Sequence, residues 1–426
     1  MDKKTYQSHL NILRSELVPA LGCTEPIAIA YAAAKARAVL GVMPQSLEIV
    51  CSGNIIKNVK GVTVPNSNGM KGIDAAAVLG TLGGNAEREL EVLESVTPEH
   101  IARAKELIQS GYCTCRLQED VENLFIRARA VAGGHWAEVT VINRHTFIAR
   151  IVRDGTVLFE HDICEDTPEA PDKSILTVES ILNFAECADT ADVREILDRQ
   201  IAMNTAISDV GLAGGYGAEV GKTLLRMCGT DVRTRARARA AAGSDARMGG
   251  CALPVVINSG SGNQGMTVSL PVIEFAKELG ASREQLYRAL IISNLVSIHQ
   301  KSYIGSLSAY CGAVSAACGA GAAITYLYGG GYQEISDTIV NTVANVSGIV
   351  CDGAKPSCAA KIASAVDAAI LAHYLSCGHH RFSPGEGFVQ ENLEDTIKSV
   401  GYIGRVGMKS TDTEILNLMI NQVDLA

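Results

Sequence analysis

The sequence predicts an α+β protein: a large, mostly helical domain joined to a smaller α+β lobe built on an antiparallel sheet. Three observations predict it. Beyond residue 176 nearly every segment has the apolar spacing and the length of a helix. Between Cys113 and His161 the pattern changes to alternating apolar and polar residues broken by turn pairs. A polar, proline-containing stretch at 163–176 separates the two patterns. The expected division is 1–45 as N-terminal helices packing on the larger domain, 46–165 as the small lobe, and 175–426 as the helical domain.

Taken in order, residues 5–18 read as an amphipathic helix, followed by PALGCTEP and an alanine-rich helix from Ile27 to Leu40. Thr24 is placed as the N-cap, with Glu25 and Pro26 in the first turn, where a carboxylate and a proline both suit a helix start. Cys23 then stands just before a helix N-terminus, a location that lowers a thiol's pKa. From Ser46 to about Val64 the pattern is β-like. A glycine-rich helical zone follows, then a helix over 99–110. Four strand-like runs come next: CTCRLQ, LFIRARAVA, WAEVTVIN and FIARIVRDGTVLFEH. Gly-Gly, Asn-Arg and Asp-Gly join them, which predicts a small antiparallel sheet with one solvated face. Helices are expected over 177–187, 191–209, 217–228, 266–279, 282–298, 305–328, 332–347, 357–376 and 390–401.

Composition narrows the function classes. Hydrophobic residues make up 47% and charged ones 19%, as in a compact folded protein. A net charge of -9 argues against a nucleic-acid partner. The N-terminus has no apolar core of a secretory signal. Ser302 to Gln333 carries no charge but is rich in Gly, Ala and Ser and punctuated by Tyr303, Tyr310, Tyr326 and Tyr328, so a closely packed buried helix explains it better than a membrane span. Thirteen cysteines without a signal read as free thiols of a reducing cytoplasm, most of them core residues. A cytoplasmic protein without membrane contact is expected, and any self-association is expected to be a homodimer.

Several constellations can carry chemistry. Cys311, Cys351 and Cys358 place two thiols on the loop GIVCDGAKPSC and one on a distant helix, and could hold three corners of an iron–sulfur cluster. Spacing alone also allows ordinary buried thiols, with Cys318 a rival two helical turns from Cys311. Gly260-Ser261-Gly262-Asn263-Gln264-Gly265 matches the dinucleotide fingerprint, but no second strand follows its helix. As a backbone nest at a helix N-terminus, Ser259 to Gly265 would bind a small anion such as a carboxylate. In PNSNGMKG, Asn66 and Asn68 could bind an amino acid or simply form a turn. Arg247, in SDARMGG, could pair a carboxylate, whereas Arg233 to Arg239 reads as a solvated helix face. His299 is a candidate for proton transfer. Cys113 and Cys115 share one strand face without a further ligand. His379 and His380, beside Cys377, are assigned to a loop.

Together these segments resemble the L-cysteine desulfidase group of the iron–sulfur L-serine dehydratase superfamily, serine dehydratase alpha-chain-like and including the bacterial UPF0597 family. The resemblance rests on PALGCTEP (19–26), GVTVPNSNGMKG (61–72), SDARMGG (244–250), NSGSGNQG (258–265), the Cys311 helix and GIVCDGAKPSC (348–358), in the family's order and over nearly the whole chain. It implies a serine dehydratase alpha-like fold with 175–426 as the catalytic domain. It also implies a [4Fe–4S] cluster on Cys311, Cys351 and Cys358 with one iron open to substrate. Cys23 would lie at the active site, as base or transient fourth ligand, with Glu25 beside it. Asn66, Asn68, Arg247, Ser259, Ser261, Gly262, Asn263 and Gln264 would bind the substrate.

The implied reaction is β-elimination of a small amino acid, L-cysteine to pyruvate, ammonia and hydrogen sulfide. Dehydration of L-serine is the alternative. The sequence ends NQVDLA, without the C-terminal cysteine that serine dehydratases can place on the open iron, which tilts the reading toward cysteine. A pyridoxal phosphate lyase would need a Schiff-base lysine and a phosphate cup, and no convincing pair is found. A non-catalytic thiol sensor or binding protein is the alternative from another class.

Overall fold

The computed structural model describes residues 1–161, 171–305 and 307–421. The expected linker therefore lies largely outside the described residues. The chain starts with α1 (Lys3–Glu16), a short strand β1 (Pro19–Leu21) and α2 (Thr24–Leu40). The small lobe follows as β2 (Ser46–Cys51), α3 (Gly53–Val59), α4 (Ile73–Gly83), α5 (Pro98–Gln109), β3 (Cys113–Leu117), β4 (Phe125–Ala132), β5 (His135–Ile142), β6 (Ile148–Arg153) and β7 (Thr156–Glu160). The helical part runs through α6 (Val178–Cys187), α7 (Thr190–Ala213), α8 (Val220–Cys228), α9 (Val232–Met248), β8 (Pro254–Val256), α10 (Gly262–Glu278), α11 (Arg283–Ile304), α12 (Gly312–Leu327), α13 (Tyr332–Asn345), α14 (Cys358–Cys377), α15 (Leu393–Tyr402) and α16 (Lys409–Met419).

The α+β class holds, but the sheet is mixed rather than antiparallel. Its order is β3-β2-β4-β5-β6-β7. β2 pairs parallel with β3, Ile49 opposite Cys115, and every other pairing is antiparallel. The reason is connection length: α3, α4 and α5 lie between β2 and β3, and a crossover of that size suits parallel neighbours. Hairpin turns link the strands from β4 onward. Along β4, Ile126, Ala128 and Ala130 are fully buried beneath α2, while Arg127 and Arg129 stand on the other face. There Arg129 covers the Trp136 ring at 4.0 Å and Arg127 faces Glu138 at 3.8 Å.

Residues 1–45 touch both parts of the molecule. α1 packs on α6 and α7, β1 pairs with β8, and α2 lies on the sheet and on α4. In the helical part α9, α10, α12 and α14 pack together, with α7, α11 and α13 around them. Close approach depends on small residues. A Cβ on Gly319 of α12 would stand 2.3 Å from the Ser293 carbonyl oxygen of α11. The uncharged stretch after Ser302 is thus a packed helix, buried from Ala313 to Thr325. One helix, Cys358–Cys377, is long and apolar enough to cross a bilayer, and more than half of it is buried against its neighbours.

The arginine run is not a solvated face. Residues two apart on a helix point about 200° apart, so α9 sends Arg233 and Arg237 to Asp367 of α14, and Arg235 and Arg239 to Glu274 of α10. The alanines between them fill the interior. α16, which the sequence reading left unassigned, packs on α3, and Lys57 of α3 forms a buried ion pair with its Asp412.

Candidate active site

Four helices begin at one cavity of about 790 Å³ that lies between the small lobe and the helical part. Cys23 and Glu25 come from the start of α2, Gly260, Ser261, Asn263 and Gln264 from the start of α10, Cys311 to Ala313 from the start of α12, and Cys358 from the start of α14. Free N–H groups and the positive ends of four helix dipoles therefore gather here, a setting for anions.

The three predicted cluster cysteines line this cavity. Cys311 is the N-cap of α12, its N–H bonded to the Ile349 carbonyl, and Cys351 N–H bonds to the Ala309 carbonyl. These two bonds lay the GIVCDG loop against the residues leading into α12. The Cys311 and Cys351 thiols act on one another, which pushes Cys311 up and holds Cys351 below the usual thiol range. Lys57 and Lys361 add to the lowering of Cys351, and the buried Lys301 ammonium also faces the pair. Cys358 is close enough to act electrostatically on Cys311 and Cys351. Among the described residues, no three His, Cys, Asp or Glu side chains are close enough to hold a single ion. Cys318 is not at the cavity. It is buried on α12 with its thiol toward the Ile339 carbonyl, a packing residue.

The nest is present. Ser259 (φ 48°) and Gly260 (φ 76°) turn the chain through the left-handed region into α10. The dinucleotide reading fails here, because β8 pairs only with β1, antiparallel, and no βαβ unit surrounds it. Instead, glycine makes room for side chains: a Cβ at Gly262 would stand 2.4 Å from Arg247 Nε, and one at Gly312 would stand 2.5 Å from Gln264 Cδ. Arg247 is 2% exposed. Its Nε donates to the Gly22 carbonyl at 2.9 Å and its Nη1 to Asn263 Oδ1 at 3.1 Å, while Nη2 has no partner. Gln264 Oε1 is likewise buried without a partner. Ser259 and Ser261 also line the cavity.

Cys23 departs from its expected character. It, not Thr24, is the N-cap of α2, and its thiol makes no capping bond. The thiol donates to Glu25 Oε2 at 3.1 Å and is packed against Val62 and Met248. Burial, and then the Glu25 carboxylate, push it well above the usual thiol range, so the helix terminus does not make it a thiolate. Burial also raises the Glu25 carboxyl, but His145 in its protonated form, the Cys23 thiol and Arg247 outweigh it and bring the group below the usual carboxylate range. Asn58 Nδ2 donates to Glu25 Oε1 at 3.0 Å.

Asn66 and Asn68 do not reach the cavity. Both have positive φ in the turn, Asn66 donates to the Leu93 carbonyl and Asn68 is exposed, so they shape the loop whose Pro65 packs under Gly22. His299 is also elsewhere, buried with its Nε2 2.6 Å from Glu394 Oε2. The sequence reading missed His145. It lies in the β5–β6 turn, read only as the Asn-Arg hairpin joint, and enters the cavity beside Gly260. The twelve cysteines among the described residues are all free.

The family model described as serine dehydratase alpha chain matches residues 87–417. The UPF0597 protein of Lachnoclostridium phytofermentans is 56% identical over 98% of this chain and 100% of its own. Those of Desulfitobacterium hafniense and Treponema denticola are 50% and 45% identical, over 98% and 99% of this chain and 97% and 99% of theirs. The chain belongs to the serine dehydratase alpha-chain family, in its UPF0597 branch.

Proposed function

We propose that this protein is an iron–sulfur lyase that eliminates the β-substituent of L-cysteine, giving pyruvate, ammonia and hydrogen sulfide. The observation that carries the reading is one cavity holding three cysteines, Cys351 and Cys358 from the GIVCDGAKPSC loop and Cys311 from the start of α12, together with buried Arg247 and Gln264 atoms that no protein group satisfies. Buried polar atoms without partners are rare, and these two match the two ends of an amino acid.

The donor set fits a [4Fe–4S] cluster. Cys311, Cys351 and Cys358 would hold three of its corners, with Lys57, Lys301 and Lys361 offsetting its charge. When bound, the cluster supplies a Lewis-acidic iron in a sulfur environment, a partner for a soft thiolate leaving group. Arg247 Nη2 and the N–H groups of the Ser259–Gly265 nest bind the substrate carboxylate. Gln264 Oε1 accepts from its ammonium group. Asn263 and the Gly22 carbonyl hold the guanidinium in place, so the carboxylate meets a fixed donor. The helix N-termini favour the anionic substrate and the negative charge that develops as the leaving group departs.

The family description favours a second substrate, L-serine, whose hydroxyl would leave from the same position. Anaerobic reconstitution with iron and sulfide, followed by pyruvate and sulfide assays on L-cysteine and L-serine in parallel, tests the reading. Sulfide release with a higher kcat/KM for cysteine supports it. Faster turnover of serine moves the protein to the dehydratase side. A colourless, inactive protein overturns the lyase reading in favour of thiol sensing or binding.

A further inference from the structure

The Cys23 thiol is a poor base where it stands, because burial and Glu25 keep its proton on. The elimination still needs a group to take the Cα proton. We infer that the imidazole of His145, brought into the cavity by the β5–β6 turn, is that group. The inference rests on the lyase reading above and replaces the base that the sequence suggested.

Four observations converge on it. His145 lines the cavity opposite the α10 nest, and a Cβ added at Gly260 would stand 3.2 Å from its Cε1, so glycine there leaves the ring its place. Its Nε2 is buried without a hydrogen-bond partner. A neutral imidazole offers one donor and one acceptor nitrogen, so the ring retains capacity for a ligand. The charged side chains facing it are Glu25 and Arg247. Arg247 is the residue assigned to the substrate carboxylate, and Cα is one bond from that carboxylate. Burial, first, and Arg247 depress the pKa of the ring against the pull of Glu25, so His145 is neutral and able to accept a proton.

The step balances without a further reagent. His145 takes the Cα proton, the C–H electron pair becomes the Cα–Cβ double bond, and the Cβ–S pair leaves with sulfur as hydrosulfide. The products are aminoacrylate and imidazolium. The imidazolium returns its proton to Cβ, and water hydrolyses the resulting imine to pyruvate and ammonia. The anionic Glu25, fixed by Asn58, Thr24 and Cys23, stabilises the imidazolium while it exists, a positioning role.

The test compares reconstituted wild type with H145N and H145A. The readouts are visible absorption, substrate affinity by calorimetry, kcat and rescue by added imidazole. The expected result is unchanged absorption, affinity within a few-fold, a kcat lower by ~100-fold or more, and partial recovery of H145A with imidazole. H145N with full absorption and a kcat within threefold of wild type overturns the inference and leaves the lyase reading standing. A loss confined to KM, or no imidazole rescue, makes His145 a binding or structural residue and also overturns it. A brown wild type that acts on neither amino acid overturns both. If H145N does not fold, H145Q is read in the same assays.

Discussion

Arg247 shows how much one residue's surroundings decide. A guanidinium at 2% exposure needs partners for its donors, and two of its nitrogens have them while Nη2 does not. R247K keeps the charge but loses the planar fork. It is expected to lower kcat/KM by about 10- to 100-fold, from a lost charge-assisted hydrogen bond of about 1.5–3 kcal/mol. Steady-state kinetics on the reconstituted enzyme check this, and an unchanged kcat/KM removes Arg247 from the carboxylate site. Cys23 gives the opposite expectation. Its thiol is a neutral donor to Glu25, a role a hydroxyl can fill, so C23S should keep kcat within about tenfold of wild type, well short of the ~100-fold or greater loss that follows removal of a general base. Sequence alone suggested a thiolate because a helix N-terminus lowers a thiol's pKa. The carboxylate two residues along and the apolar packing reverse it, and only three-dimensional placement reveals the burial.

At the scale of elements, periodicity located most helices and strands, because their apolar faces meet a core. What it could not locate has physical causes. α9 alternates Arg and Ala, which reads as a solvated face, yet the arginines diverge to acidic partners on two neighbouring helices. α16 gives a weak signal because it buries little beyond Leu416. The parallel β2–β3 pairing depends on a crossover whose length is legible but whose path is not. Helix contacts carry a direct prediction. G319A puts a methyl group 2.3 Å from the Ser293 carbonyl oxygen, between α11 and α12, and should destabilise by about 1–3 kcal/mol. A lower urea midpoint measures it, and an unchanged midpoint means the helices can part freely. His373 on α14, 1% exposed with its Nδ1 3.0 Å from Thr325 Oγ1, is held neutral by burial and depressed from 6.5 to about 4. The unfolded chain binds this proton more readily, so its contribution is complete above pH 6.5 and falls as the pH drops toward 4. At about 1.4 kcal/mol per unit the loss is on the order of 3 kcal/mol. Chemical denaturation at pH 7, 5.5 and 4.5 should show that slope, and H373N should flatten it.

Across the whole molecule, the site is made by convergence. Separate stretches, from PALGCTEP to GIVCDGAKPSC, each gave an ambiguous motif, and the fold brings them to one cavity. The motif on Asn66 and Asn68 went instead to a supporting turn, because positive φ and a backbone acceptor, not a ligand, account for its asparagines. His145 went unread because a single histidine in a hairpin turn carries no pattern. The convergence of Cys311, Cys351 and Cys358 is the central claim. The most direct measurement is the iron content and visible spectrum of anaerobically reconstituted wild type beside C311S, C351S and C358S, with pyruvate release assayed on the same samples. The expected result is about four irons per chain, a brown wild type that forms pyruvate, and loss of both colour and activity in each variant. Full colour and activity in any one of the three serine variants would contradict it.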